Sequence, residues 1–454
     1  MRPISLLRFN ALTAYCRAPE TFYASEELAW FEHGGERVLG TLIRDRSDND
    51  FAGIVLGRDK NERFRAIRVT RFESSPKRAR VLLRHEMDCL ALASDADYHQ
   101  GDEFSAPLDL YLPQVDRSRL HPGFIKLIDD ESISPAKEII RPMMHWYEDA
   151  DGNFVEQFQT TGFNARIWEL YLFATFVELG YLIDRSQPSP DFSCIGVPGE
   201  FVVEAVTVNP SQDKGVIIPP PPHDSPEDKK AFLLHYMPIR FGSSLTTKLS
   251  KKYWEKPNVK GKPLLFAIHD FLEPMSMTFT RSALPVYLYG YVYDWEHDNK
   301  GNLHIKPEKF KSHRWEGKEI PSGFFDLPEA ENVSAVIFSN SGTISKFNRM
   351  GLIAGFGSPR VRLVREGTAV DHDPRVVEPI TFRHLVNEPG YTESWVEGLE
   401  VFHNPRAKYP IDPTLLPGAG HHRLLSDGQI ESLTPEWHPL ASITINFIDN
   451  KIAH

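Results

Sequence analysis

Three carboxylates in the middle of the 454-residue chain stand where carboxylates are expensive. Glu169 lies in a run from Ile167 to Val177 that is apolar nearly all round, and steps of three or four residues from it reach Leu172, Phe173 and Phe176. An unpaired charge on such a face costs on the order of several kcal/mol. Arg166, three residues back on the same side of a helix, offers the plainest partner. Asp191 opens the strand-like run Asp191-Phe192-Ser193-Cys194-Ile195, and Glu204 interrupts the apolar run Phe201 to Val208. A Val-Pro-Gly-Glu turn joins the two runs. With Pro198 and Gly199 at its centre, Ser193 faces Glu204 and Asp191 faces Val206. Asp191 and Glu204 then project from one face, a diagonal apart. Carboxylates held together repel unless they share a proton or a cation. An oxygen-rich set with little nitrogen or sulfur suits Mg²⁺ or Mn²⁺, which keep waters and accept phosphate oxygens as further ligands.

The elements that must position these groups are a buried helix around Glu169, a hairpin carrying Asp191 and Glu204, a further helix and a further strand. A glutamate on a helix, Pro190-Asp191 at a strand start and Glu204 in the next strand, at spacings of 22 and 13 residues, resemble the core of PD-(D/E)xK nucleases. The resemblance covers Gly162 to Ile268. It implies an α/β fold of the restriction-endonuclease-like type, a central mixed sheet with flanking helices. It also implies Asp191, Glu204 and Glu169 as metal ligands and Mg²⁺ or Mn²⁺ as cofactor. The family's lysine, two residues after the second acid, is here Val206. Many members carry that charge on a following helix, and FGSSLTTKLSKKYWEK supplies one, with Leu245, Leu249 and Tyr253 as its apolar ridge. Lys248 or Lys252 is therefore expected to reach the carboxylates.

Around this core the chain divides into a β-rich N-terminal domain over 1–150, the core over 151–275 and a mixed C-terminal region with an irregular tail over 276–454. In the first, strand-like runs between 30 and 75 precede a helix from Pro76 to Ala93, with Ser75 as N-cap. In the second, four consecutive prolines mark a loop over 211–240, long enough to be a lid or docking surface. In the third, LPVYLYGYVYDW and VSAVIFSN read as strands.

Hydrophobic residues at 41%, charged residues at 25% and three scattered cysteines describe a globular chain with no disulfide framework. The broken apolar run at the N-terminus is a poor signal peptide, and the run Ile167–Ile183, with two glutamates, a poor membrane span. A cytoplasmic location without membrane contact is expected. A net charge of −11 counts against a general nucleic-acid coat, less against an enzyme with a local basic groove. Basic patches occur at Lys77-Arg78-Ala79-Arg80, at Arg63, Arg65, Arg68 and Arg71, and in KPEKFKSHRW, where Trp315 interleaves. Lys346 and Arg349, near Gly355-Phe356-Gly357, offer charge for phosphate, although a loop is the safer reading. His403, His421, His422 and His438 lack zinc spacing.

The expected function is metal-dependent hydrolysis of phosphodiester bonds, DNA being the favoured substrate, in prokaryotic defence or repair. Val206 favours a different class, a catalytically silent nuclease-like module that binds nucleic acid or protein. Protein partners are not legible, and a homo-oligomer is left open.

Overall fold

The computed structural model describes residues 1–103, 109–147, 149, 152–213 and 216–451. Eight strands form its central sheet, in the order Ile430–Leu433, Gly420–Leu424, Leu399–His403, Ala335–Ser339, Leu264–Asp270, Gly199–Val208, Phe192–Gly196 and Leu182–Asp184. The strands Leu182–Asp184, Phe192–Gly196 and Gly199–Val208 form an antiparallel meander. Leu264–Asp270 then pairs parallel with Gly199–Val208, after a connection containing the helix Met237–Leu249. Parallel neighbours need such a crossover because their ends lie at opposite edges of the sheet.

Both faces of the sheet are covered, so its inner strands read as continuous apolar runs. Phe201, Val203, Leu265 and Ala267 pack on one side with the helix Phe163–Glu178. Val202, Val206, Leu264, Phe266 and Ile268 pack on the other with Phe241, Leu245 and Leu249 of the helix Met237–Leu249. The fold is a mixed α/β assembly of helix, sheet and helix layers. The helix Phe163–Glu178 is apolar all round because it lies between the sheet and further helices. Trp168 Nε1 donates to the Ala267 carbonyl at 2.9 Å and fixes its height on the sheet. Gly180, at φ 87°, ends it, with Tyr181 N bonding back to Phe176 O at 3.0 Å. That left-handed glycine turns the chain into the meander.

A second sheet of five strands occupies the N-terminal part, backed by the helix Pro76–Leu90 with Ser75 and Pro76 at its start. Other expectations need correction. LPVYLYG is the helix Ala283–Tyr289, not a strand, and Gly290 at φ 72° closes it before the strand Tyr291–His297. A Cβ at Gly290 would meet the Gly323 backbone at 3.3 Å. Gly290→Ala should therefore lower stability by about 1–2 kcal/mol, measured as a urea midpoint shift at constant slope. The segment at Lys346 and Arg349 is the helix Ile344–Ile353, not a loop. The loop over 211–240 contains a short hairpin, Ser211–Asp213 with Val216–Ile218, and the helix Pro226–Ala231. Lys214 and Gly215 lie outside the described residues. The tail contributes the strands Leu399–His403, Gly420–Leu424 and Ile430–Leu433, so the central sheet continues past residue 275.

Among the described residues, no helix is long and apolar enough to cross a membrane.

Candidate active site

Asp191 and Glu204 meet because of where the hairpin turns. Its register pairs Gly196 with Gly199 and Phe192 with Val203, and continued one residue past the strand's start it sets Asp191 opposite Glu204. The expected pairing, Asp191 with Val206, is thus displaced by two residues. A shift of two preserves the face, and it converts a diagonal into a direct cross-strand pair. The backbone ladder stops at Phe192. Beyond it the Ala205 N–H donates to Asp191 Oδ2 at 2.7 Å, so a side chain continues what the strand left off.

Glu204 is the polar break in the row Val202, Val206, Val208 and therefore points toward the helix Met237–Leu249. Lys248 Nζ, on that helix, contacts Glu204 Oε1 at 2.5 Å. The Tyr253 hydroxyl donates to the same oxygen at 2.6 Å. The second oxygen, Glu204 Oε2, is buried and finds no hydrogen-bond partner among the described residues. Val206, in the place of the family's lysine, is buried in the apolar cluster.

Lys252 is not part of this arrangement, contrary to expectation. The helix ends at Leu249, and Lys252 adopts a left-handed φ of 49° that turns its side chain off the face carrying Lys248. It pairs instead with Glu329 at 2.6 Å, both side chains more than two-fifths exposed.

Glu169 approaches from the opposite helix layer. Arg166 Nη1 contacts both its oxygens, at 2.9 and 2.7 Å, and the Tyr147 hydroxyl donates to Oε2 at 2.8 Å. The ion pair with Arg166 is therefore present, and both oxygens are engaged. Arg185 lies between the two acidic strands' approach and Tyr147. Its Nη1 donates to the Asp191 carbonyl at 3.1 Å, and its guanidinium sits 4.1 Å from the Tyr147 ring centre.

The three acids act on one another electrostatically through Asp191. Burial, then the charges of Glu204 and Glu169, raise its carboxyl to about 8, against the help of the Ala205 N–H and Lys248. At neutral pH this side chain holds a proton. Burial first and the neighbouring carboxylate second also raise the Tyr147 and Tyr253 hydroxyls, which keeps both as donors.

No group of three His, Cys, Asp or Glu side chains placed to hold a metal ion occurs among the described residues. The donor set here fits a cation through two carboxylates only. Asp191 and Glu204 are close, Oε2 of Glu204 is unpartnered, and burial together with like charge keeps a proton on Asp191 where a cation would relieve the charge. Mg²⁺ is commonly held by one or two carboxylates, with water and phosphate completing its shell. Glu169, committed to Arg166 and Tyr147, does not fit as a third direct ligand. Because Glu204 is buried and Lys248 only a quarter exposed, Glu204→Gln should cost about 1–3 kcal/mol in a thermal melt by leaving Lys248 short of a partner.

In the arginine series each side chain has a carboxylate partner. Arg63 pairs with Asp59, Arg65 with Asp102, Arg68 with Glu86 and Arg71 with Glu73. Lys346 and Arg349 are buried against Glu393 and are not placed to bind phosphate. His403 bonds His421 at 2.9 Å, and His422 and His438 lie within 3.5 and 3.7 Å of Glu400. Tyr147 and Tyr253 do not show as site residues in the sequence, where Tyr253 reads as part of an apolar ridge, since an aromatic residue in an apolar run carries no mark that separates a core ring from a hydroxyl donor; Arg185 stands in no motif.

No known family model, curated protein or solved structure matches this chain.

Proposed function

We propose that the protein is a divalent-metal-dependent nuclease of the PD-(D/E)xK type. The observation that carries the reading is that Asp191, at the start of one strand, lies close enough to Glu204 of the neighbouring strand for its charge to act on Asp191, with Lys248 on Glu204. The meander followed by helix and parallel strand supports it, since this order supplies one acid from each of two neighbouring strands and a cation from the crossover helix. Asp191 and Glu204 are the residues to hold Mg²⁺ or Mn²⁺. A bound ion of this kind polarises the phosphate and lowers the pKa of the attacking water. Lys248 balances charge on Glu204 and, were Glu204 to hold a cation, would be the group to face a phosphate oxygen. Tyr253 orients Glu204 through the shared oxygen. Arg166 and Tyr147 hold Glu169 beside Asp191, where its charge supports cation binding from outside the coordination shell. DNA is the proposed substrate.

A second reading, a silent nuclease-like module, is favoured by one observation: Glu169 and Glu204 each already have an internal cation and tyrosine as partners. Cleavage of plasmid and oligonucleotide DNA by Lys248→Ala and Lys252→Ala, in Mg²⁺ and in EDTA, separates the two. The nuclease reading expects the parent to cut in Mg²⁺ only. It expects Lys248→Ala to lose about 10²–10³-fold and Lys252→Ala to stay within about twofold of the parent. Cutting that ignores EDTA, or an unimpaired Lys248→Ala, would remove it.

A further inference from the structure

Beside the carboxylates opens a cavity of about 580 Å³, within the usual range of about 300–1,000 Å³ for small-molecule sites. It is joined to them by two residues. Tyr147 lends its hydroxyl to Glu169 and its ring to the cavity wall, while Arg185 bonds the Asp191 backbone and also lines the wall.

The lining has two chemistries. Arg17, Arg63 and Arg185 contribute three guanidinium groups, Arg17 and Arg63 each paired with a carboxylate behind the wall, and among the described residues Asp149 is the one lining carboxylate. Phe22 and Trp146 contribute aromatic surface in addition to Tyr147. The arginines are held in place rather than loose. Arg63 is fixed by Asp59 at 2.7 Å and lies 5.2 Å from the Trp146 ring centre, and Arg17 is fixed by Glu27 at 2.7 Å. Their carboxylate partners are not in the wall. Rings and fixed guanidinium groups around a cavity of this size match an unpaired base and its flanking phosphates.

We infer that this cavity takes one unpaired nucleotide of the substrate, so that the protein acts on single-stranded or frayed nucleic acid in preference to intact duplex. The inference rests on the nuclease reading for its link to cleavage and names the substrate class of that same site. A base inside a duplex cannot enter the cavity without leaving its stack, which costs pairing and stacking energy that a single strand has already given up. The cations beside it then track the backbone toward Asp191.

Fluorescence anisotropy in EDTA tests this without cleavage, using a short labelled oligothymidylate, a blunt duplex of the same length and thymidine monophosphate as competitor. Single strand should bind at least about 10-fold more tightly than duplex. Trp146→Ala and Phe22→Ala should each weaken single-strand binding by about 5- to 100-fold and leave duplex binding unchanged. Trp146→Phe, which keeps a ring, should recover most of the loss, and unshifted melting temperatures exclude misfolding. Equal affinity for the two strand states would overturn the inference, as would unaltered single-strand binding in both ring-deleted variants. Thymidine monophosphate binding as tightly as the oligonucleotide would assign the cavity to a free nucleotide and overturn it too. A parent that binds single strands in this way yet cuts nothing in Mg²⁺ removes the nuclease reading and keeps the cavity assignment. Mg²⁺-dependent cutting with no strand discrimination does the reverse.

Discussion

Asp191→Asn should inactivate the protein and stabilise it at the same time. The loss expected is at least about 10³-fold in cleavage rate, since removing one of the two carboxylates proposed to hold the cation forfeits several kcal/mol of transition-state stabilisation. Asparagine keeps the size of the side chain and an oxygen to accept the Ala205 N–H. What it removes is the proton balance. The folded carboxyl titrates at about 8, against an ordinary value of 3.8, because it is buried and faces Glu204 and Glu169. Between those values the folded state holds a proton that the unfolded state has released. Stability therefore falls as pH rises through that window, by at most about 1.4 kcal/mol per pH unit, and levels off above it. Asparagine has no such slope. In metal-free urea titrations the variant should match the parent near pH 4, exceed it increasingly toward pH 8, and hold its advantage beyond. Parallel stability–pH profiles for the two proteins would show that Asp191 is not the proton-holding group.

Glu393→Gln should be the most damaging single change in the chain. Glu393 is buried under three cations, Lys346 at 2.6 Å, Arg349 at 2.8 Å and Arg365 at 3.4 Å, with Tyr391 donating to its second oxygen at 2.7 Å. Burial opposes its ionised form, yet Arg349, Lys346 and Arg365 outweigh burial and hold its carboxyl well below the usual range. Arg365 is shared with Glu397, so the pairing is a closed network rather than a set of separate bridges. Neutralising its centre leaves cations enclosed and short of charge, at a cost of about 3–5 kcal/mol or more. Chemical denaturation should show a midpoint shift of that size or no folded protein at all. A shift under about 1 kcal/mol would mean that water reaches the cluster.

How far the sequence disclosed this arrangement can be followed residue by residue. Asp191 and Glu204 were legible on one face because face depends only on parity, and the turn error of one position moved the register by two. Their direct opposition was not legible, since Val197-Pro198-Gly199-Glu200 accommodates more than one turn centre. Lys248 was legible from the helical step that puts it beside Leu245 and Leu249. Lys252 was misplaced because the helix was extended one turn too far, and a lysine in left-handed conformation leaves no trace in sequence. The run before Gly290 reads as a strand because aromatic and β-branched residues fit either element, and the glycine that closes the helix is the signal against it. The tail's sheet strands are hard to read because each is only four or five residues long, and Leu399–His403 pairs with Ala335–Ser339 some sixty residues earlier.

The central claim is that Asp191 and Glu204 hold a divalent cation for phosphodiester cleavage. Its most direct test is one time course of single-stranded and duplex DNA with parent and Asp191→Asn, in Mg²⁺ with an EDTA control. The parent should cut in Mg²⁺ alone, and the folded variant should fall by at least about 10³-fold. A parent inert on both substrates in Mg²⁺ and Mn²⁺, or a variant that cuts as fast as the parent, would contradict it.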